Sequence, residues 1–216
     1  MRIYEIFSSI NGEVNNCYQG SLCTFVRTAG CNCRCVACDT AKTQDPKAGI
    51  EMQIKPIVDK VITLGCKNVT ITGGEPMLQP DLQDLIFSLG QKECNISIET
   101  NGSFLIEKNP RVNCWIVDWK TPSSGMSHMM KLENFKNLYF DDIIKFVIKD
   151  RKDFDESLKV CQDLKKINQF LPKFAFSPCF GEINPKVLVE WMSAEPFLKK
   201  QGAVFSYQIH KLINVA

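Results

Sequence analysis

The chain has 216 residues, a formal net charge of +2, 44% hydrophobic residues and 23% charged residues. That length suits one ordinary domain with enough core to fold without staples, and the composition is that of a globular protein, not a disordered or fibrous one. A charge so near neutrality gives no clustered Lys and Arg surface for a polyanion, so nucleic acid is not an expected partner.

In chain order, "MRIYEIFSS" lacks the basic start and apolar core of a signal peptide. No apolar run approaches the roughly 20 residues of a membrane span, so a cytoplasmic chain with no membrane partner is expected. From Lys55 onward, short β-branched runs alternate with helical patterns, the signature of repeated β-α units on a parallel sheet. Ile57, Val58, Val61 and Ile62 form one helical face, and Leu82, Leu85, Ile86 and Leu89 form the next. Later helical stripes are Leu158, Cys161, Leu164 and Ile167, then Val187, Leu188, Trp191 and Met192. Between them, "NVTIT", "CNISIET", "CWIVDW", "IIKFVIK", "KFAFS" and "VFSYQI" are strand candidates, for about six or seven parallel strands. A helix after "CWIVDW" is only weakly signalled. With no repeat, low-complexity tract or linker, one domain is expected. "ITGGEP", "IETNG", "VDWKTPSSG" and "FSPCFGEINP" follow strands, so polar loops should converge on the rim at the strands' carboxyl ends, where such folds bind ligands.

Eleven cysteines are present. Cys17, Cys23, Cys66, Cys94, Cys114, Cys161 and Cys179 are scattered through apolar stretches and read as small buried hydrophobes. The other four crowd into "CNCRCVACDT", where Cys31, Cys35 and Cys38 have the spacing C-x3-C-x2-C and Cys33 lies within it. Soft thiolates so placed suit an iron-sulfur cluster or zinc. Three ligands leave one metal position open, whereas all four cysteines would close a tetrahedral zinc site.

The cysteine spacing after "FVRTAG", followed by "TGGEP" after a strand, resembles the radical S-adenosylmethionine superfamily. "SINGE", "CDT", "IETNG", "KTPSSGM", "SPCFGEINP" and "QIHK" resemble, in order along nearly the whole chain, the 7-carboxy-7-deazaguanine synthase family of the queuosine and 7-deazapurine pathway. The resemblance implies a modified, incomplete (β/α) barrel of the radical S-adenosylmethionine type in a single domain, 1–216. Within it, residues 1–28 would hold the substrate loop and first strands, 29–40 the cluster loop, and 41–216 the β/α core and C-terminal tail.

It also implies a 4Fe-4S cluster held by Cys31, Cys35 and Cys38, without Cys33, and S-adenosylmethionine contacted by Ala37, Cys38, Asp39, Gly74, Asp118, Trp119 and Lys120. Gly73 shares the turn with Gly74. A magnesium ion would sit at Thr40, although that residue also reads as the cap of a short helix. The pterin substrate would meet Ile10, Asn11, Gly12, Arg27, Thr72 and Ala216. The planar fork of Arg27 suits the substrate carboxylate. No side chain is assigned a catalytic role, because cluster and cofactor generate the radical.

Members commonly carry Gln in place of Asn11 and an apolar residue in place of Cys33. Asn shortens the amide's reach, and Cys33 adds an oxidisable thiol. Glu75 and Glu99 read either as supporting groups or as solvated carboxylates, while His128 and His210 are too few and too far apart for a metal site. Met126, Met129 and Met130 read as core or contact surface.

The implied reaction is a lyase ring contraction that converts 6-carboxy-5,6,7,8-tetrahydropterin to 7-carboxy-7-deazaguanine with loss of ammonia. A reducing partner such as flavodoxin or ferredoxin and a homodimer are expected with it. Competing readings are a glycyl-radical-enzyme activase, which needs an open groove for a protein substrate, and a non-catalytic zinc-binding module closed by four cysteines.

Overall fold

The computed structural model describes residues 1–168 and 170–215. In chain order it contains β1 Arg2–Ile10, β2 Leu22–Thr28, β3 Ile50–Glu51, α1 Ile54–Leu64, β4 Asn68–Gly73, α2 Leu82–Gly90, β5 Asn95–Thr100 and β6 Val112–Trp119. Then follow β7 Ile143–Ile148, α3 Arg151–Ile167, β8 Lys173–Pro178, α4 Pro185–Ala194, α5 Pro196–Gln201, β9 Val204–Phe205 and α6 Ile209–Ile213. All nine strands form one sheet in the order β3-β1-β2-β4-β5-β6-β7-β8-β9. β1 runs antiparallel to its two neighbours, and every pairing from β2 to β9 is parallel. Among the described residues β3 and β9 do not pair, so the barrel is open, as the resemblance implied.

Strand register separates two chemistries, because successive side chains point to opposite faces. Val26, Ile71, Ile98 and Trp115 stand in register across β2, β4, β5 and β6. Val117, Ile144 and Phe174 continue that face, and all are buried in one large core. Helices cover it. Leu82, Leu85, Ile86 and Leu89 of α2 are all buried, each contributing about 1.5–3 kcal/mol relative to exposure. Phe154, Cys161 and Leu164 do the same for α3, which Asp150 caps by accepting from Asp153 N at 2.9 Å. The other face carries polar residues over a small apolar floor of Cys114, Ile116, Ile143 and Ala175, against which Val14 packs.

Several expectations need correction. Ile62 and Ile167 are 46% and 48% exposed, so they lie at the solvent edge of their stripes. "VFSYQI" is a strand only over Val204–Phe205, after which the chain turns into α6. The weakly signalled helix after β6 is replaced by 3-10 turns at Pro122–Ser124, Ser127–Met129 and Leu132–Phe135, a stretch rich in Pro, Ser and Gly that favours turns. Of the seven scattered cysteines, Cys23, Cys114, Cys161 and Cys179 are buried, while Cys17, Cys66 and Cys94 are half-buried; all are free thiols.

Candidate active site

The polar face begins where Arg27 stands opposite Thr72 on the neighbouring strand. Thr72 Oγ1 donates to Glu99 Oε2 at 2.8 Å. Further along, Asp118 of β6 pairs with Lys145 of β7, whose ammonium lies 3.2 Å from Asp118 Oδ1 and in contact with Glu13. Lys120 holds the second Asp118 oxygen at 2.7 Å. Burial by itself would raise the Asp118 carboxyl, yet Lys120 and Lys145 keep it below its ordinary value. Burial would lower Lys145, but the carboxylates of Asp118, Glu13 and Glu99 hold it well above. Glu99 lacks a close partner of that strength, and burial pushes it up.

Arg27 is less free than its sequence position implies. Its Nε lies 2.9 Å from Glu5 Oε1 but off the hydrogen-bonding angle, and its guanidinium stacks over Phe7. Trp119 turns its ring to the opposite face, against Phe135 at 5.0 Å, so of residues 118–120 only the two charged side chains join this polar group.

The cysteine loop rises beyond β2. Cys31 Sγ accepts from Cys33 N at 3.4 Å and from Asn101 Nδ2 at 3.8 Å. The neighbouring Cys33 thiol is the main influence that brings Cys31 down to about 6 and Cys35 to about 7, and it is itself raised by them. Nearby Lys120 favours both thiolates as well. Cys38 stands apart, its sulfur 3.8 Å from Thr40 Oγ1. Thr40 occupies the cap position of the 3-10 turn Ala41–Thr43, but its hydroxyl makes no capping bond. Among the described residues no three Cys, His, Asp or Glu side chains form a ready metal-holding group, so neither the three-cysteine nor the four-cysteine set is preassembled. The donor chemistry does fit a cluster: three soft sulfurs share one loop, two of them inclined to the thiolate form. Ala37 is exposed on this loop, which Val36 N ties to Ser124 O at 3.0 Å.

The turn after β4 supports the loop from below. A Cβ on Gly74 would lie 2.1 Å from Gly30 O, and one on Gly73, whose φ is +128°, would lie 2.3 Å from Thr28 N. Only glycine lets the two backbones meet so closely. Glu75 is fully buried, not solvated; it accepts from Thr100 Oγ1 at 2.6 Å, Asn101 N at 2.7 Å and Met77 N at 3.0 Å. Burial nevertheless pushes its carboxyl up to about 7. Asn101 reaches on to Asn32 Oδ1 at 2.8 Å, linking β5 to the cysteine loop.

The carboxyl-terminal tail closes the other side. Ile209 N donates to Gly12 O at 2.9 Å, and the His210 ring fills the space a Gly12 side chain would need. Gln208 donates to Glu13 and, at 3.4 Å, to Asp39. Asn11 is buried; its amide accepts from Thr70 Oγ1 at 3.1 Å and donates to Ser21 Oγ at 2.9 Å, while Ile10 ends β1 opposite Leu22. Ala216 lies outside the described residues. Glu13, Lys145 and Gln208 are site residues that sequence reasoning did not single out. A lone lysine inside the apolar run "IIKFVIK" was the available signal, since a buried lysine needs partners. His128 and Met126 to Met130 lie on the turns after β6, with Met130 against the large core.

An open, mostly parallel α/β sheet with a cysteine loop at its carboxyl rim defines a radical S-adenosylmethionine architecture, and the Radical SAM superfamily profile matches residues 25–112. The chain is 37% identical to the 7-carboxy-7-deazaguanine synthase of Clostridium acetobutylicum, over 98% of this chain and 95% of that protein. It is 33% identical to the synthase of Leptospira interrogans, over 98% and 94% of the two chains. It therefore belongs to the 7-carboxy-7-deazaguanine synthase family. The crystal structure of QueE from Escherichia coli superposes with a TM-score of 0.71 at 19% identity, covering 96% of this chain and 93% of that one, which shows the shared fold.

Proposed function

We propose that the chain catalyses the reaction for which its family is named, forming 7-carboxy-7-deazaguanine from 6-carboxy-5,6,7,8-tetrahydropterin with release of ammonia, as a lyase of queuosine or other 7-deazapurine biosynthesis. The observation that carries this reading is the meeting, on one face, of the polar group Arg27, Thr72, Glu99, Asp118 and Lys145 with the segment Asn11 to Glu13 and the cysteine loop. A 4Fe-4S cluster with S-adenosylmethionine, the cofactors of radical S-adenosylmethionine enzymes, supplies when bound a radical that removes a substrate hydrogen. The chain's own residues hold and orient these groups and the substrate.

Cys31, Cys35 and Cys38 would hold the cluster, and Thr40, whose hydroxyl is not spent on a cap, would ligate magnesium alongside substrate oxygens and water. Ala37, Asp39, Gly74, Asp118 and Lys120 would border S-adenosylmethionine, with Trp119 contributing backbone alone. Arg27 would exchange Glu5 for the pterin carboxylate, and Thr72 and the segment Ile10 to Gly12 would orient the ring. Lys145, held well above its ordinary value, is a fixed positive charge beside Glu13 and Asp118, and Glu99, pushed toward its protonated form, is the better proton donor of the two. The tail excludes water by covering Gly12 and Glu13. A single cytoplasmic domain, 1–216, working as a homodimer without nucleic acid, completes the reading; no described helix is long and apolar enough to cross a membrane.

The test is anaerobic reconstitution with reductant, S-adenosylmethionine, magnesium and 6-carboxytetrahydropterin, followed by mass spectrometry of the product. Multiple turnovers to 7-carboxy-7-deazaguanine are expected, with none from Cys35→Ala. The Cys33→Ala variant should keep its full iron and sulfide content, since Cys33 is assigned no iron. Cofactor cleavage without pterin turnover would instead favour a protein substrate, and bound zinc without iron would favour a structural site.

A further inference from the structure

A second hollow lies beside the cysteine loop, of about 400 Å³, sharing no residue with the polar group that faces the pterin. Its floor is Ala29 and Gln79, both buried, with Cys31 opening onto it. Gln79 Nε2 donates to Ala29 O at 3.0 Å and its Oε1 accepts from Arg2 N at 2.8 Å, so the floor is tied to two strands. Pro46, Pro80 and the 42% exposed Leu78 form apolar walls. Two arginines stand on the rim. Arg34 donates from Nη1 to the carbonyls of Cys31 and Cys33, at 2.7 and 2.8 Å, and has no carboxylate partner among the described residues. Arg2 pairs with Glu51 at 3.0 Å, both half-exposed. An apolar centre flanked by two guanidinium groups, of which Arg34 is unpaired by any described carboxylate, fits an acidic protein surface carrying its own apolar centre. It also offers a visitor a direct approach to a cysteine that would ligate the cluster.

We infer that this hollow is the docking site of the electron donor, an acidic one-electron carrier protein that seats its cofactor edge between Leu78 and Pro46 and its carboxylates on Arg2 and Arg34. The inference rests on the radical S-adenosylmethionine reading for the position of the cluster. One electron leaves the reduced carrier, which departs in its one-electron-oxidised form, and the bound cluster gains that electron by way of Cys31. Reductant thus enters apart from the face that holds substrate.

The experiment uses cluster-loaded protein mixed with flavodoxin hydroquinone in stopped flow, with the cluster's visible absorbance as the readout. Arg2→Glu, Arg34→Glu and the double variant are compared with the parent, each also reduced by photoreduced deazaflavin, which is small and uncharged. The double variant should be reduced about tenfold more slowly by flavodoxin at low salt, with the gap closing as salt rises, while its reduction by deazaflavin is unchanged. Calorimetric titration with oxidised flavodoxin should show the same weakening without any turnover. Equal loss with both reductants would mean that the arginines merely support the loop, and would overturn the assignment. So would an unchanged flavodoxin rate, whether or not the variants dissociated a dimer, because the hollow would then be inert or a contact between copies. Failure to convert the pterin while this pattern of reduction held would sink the substrate reading and leave the docking site standing. The Arg2 variant, remote from the carbonyls of the cysteine loop, keeps the test decisive if Arg34→Glu loses its cluster.

Discussion

The Lys211 ammonium stands 3.0 Å from an Asp39 carboxylate oxygen, tying the carboxyl-terminal tail to the residue beside Cys38. Burial works to raise Asp39, but Lys211, Lys145 and Gln208 together outweigh it and the carboxyl lies below its ordinary value. The tie is therefore complete above about pH 4 and is lost as the pH falls further. Both partners keep some exposure, so the pair is worth at most about 1 kcal/mol. Lys211→Met should speed amide exchange over α6 by up to about fivefold, leaving the global melting temperature almost unmoved. Unchanged exchange would show that Ile209 N to Gly12 O holds the tail unaided.

Glu75 makes stability depend on pH with a definite sign. Its carboxyl rises from an ordinary 4.5 to about 7 on folding, so between those values the folded chain binds the extra proton and stability falls as pH rises. The shift corresponds to about 3 kcal/mol across the window. Denaturant titrations of the metal-free protein at a series of pH values should show that slope, and Glu75→Gln should flatten it. An equally steep slope in the Gln variant would place the titrating group elsewhere.

Among the described residues Lys145 is the ammonium that Glu13 and Asp118 share. Lys145→Met strips Glu13 of its cation and leaves Asp118 with Lys120 alone, stranding negative charge in a buried site, and should cost about 3–5 kcal/mol. Adding Glu13→Gln removes one of the stranded charges, so the double variant should be more stable than the Lys145 variant alone. Additive losses in a double-mutant cycle would contradict the direct coupling of this pair.

At Gly74 the constraint is backbone against backbone, 2.1 Å from the Gly30 carbonyl to any added Cβ. Gly74→Ala must push the cysteine loop away from β4 and should lower stability by about 1–3 kcal/mol, with reduced iron retention after desalting. A variant that melts normally and keeps its iron would mean the loop can shift freely.

Much of this was legible in residue order alone. Short β-branched runs, the face Leu82, Leu85, Ile86 and Leu89, and the spacing of Cys31, Cys35 and Cys38 report local periodicity, which is a property of the backbone and needs no partner. Motif order likewise pointed to the family, which the relatives bear out. The short extent of β9 and the loss of a helix after β6 were not legible, because pairing partners and turn residues decide them.

What only the tertiary structure decided was which charged groups share one low-dielectric space. The apolar run around Lys145 marks it for burial but names none of its partners, and nothing local connects Glu13 with Gln208 across 195 positions. Strand register brings Asp118 opposite Lys145, and the returning tail brings Gln208 onto Glu13. Electrostatic energy depends on distance through space and on burial, neither of which is written in the spacing of residues along the chain.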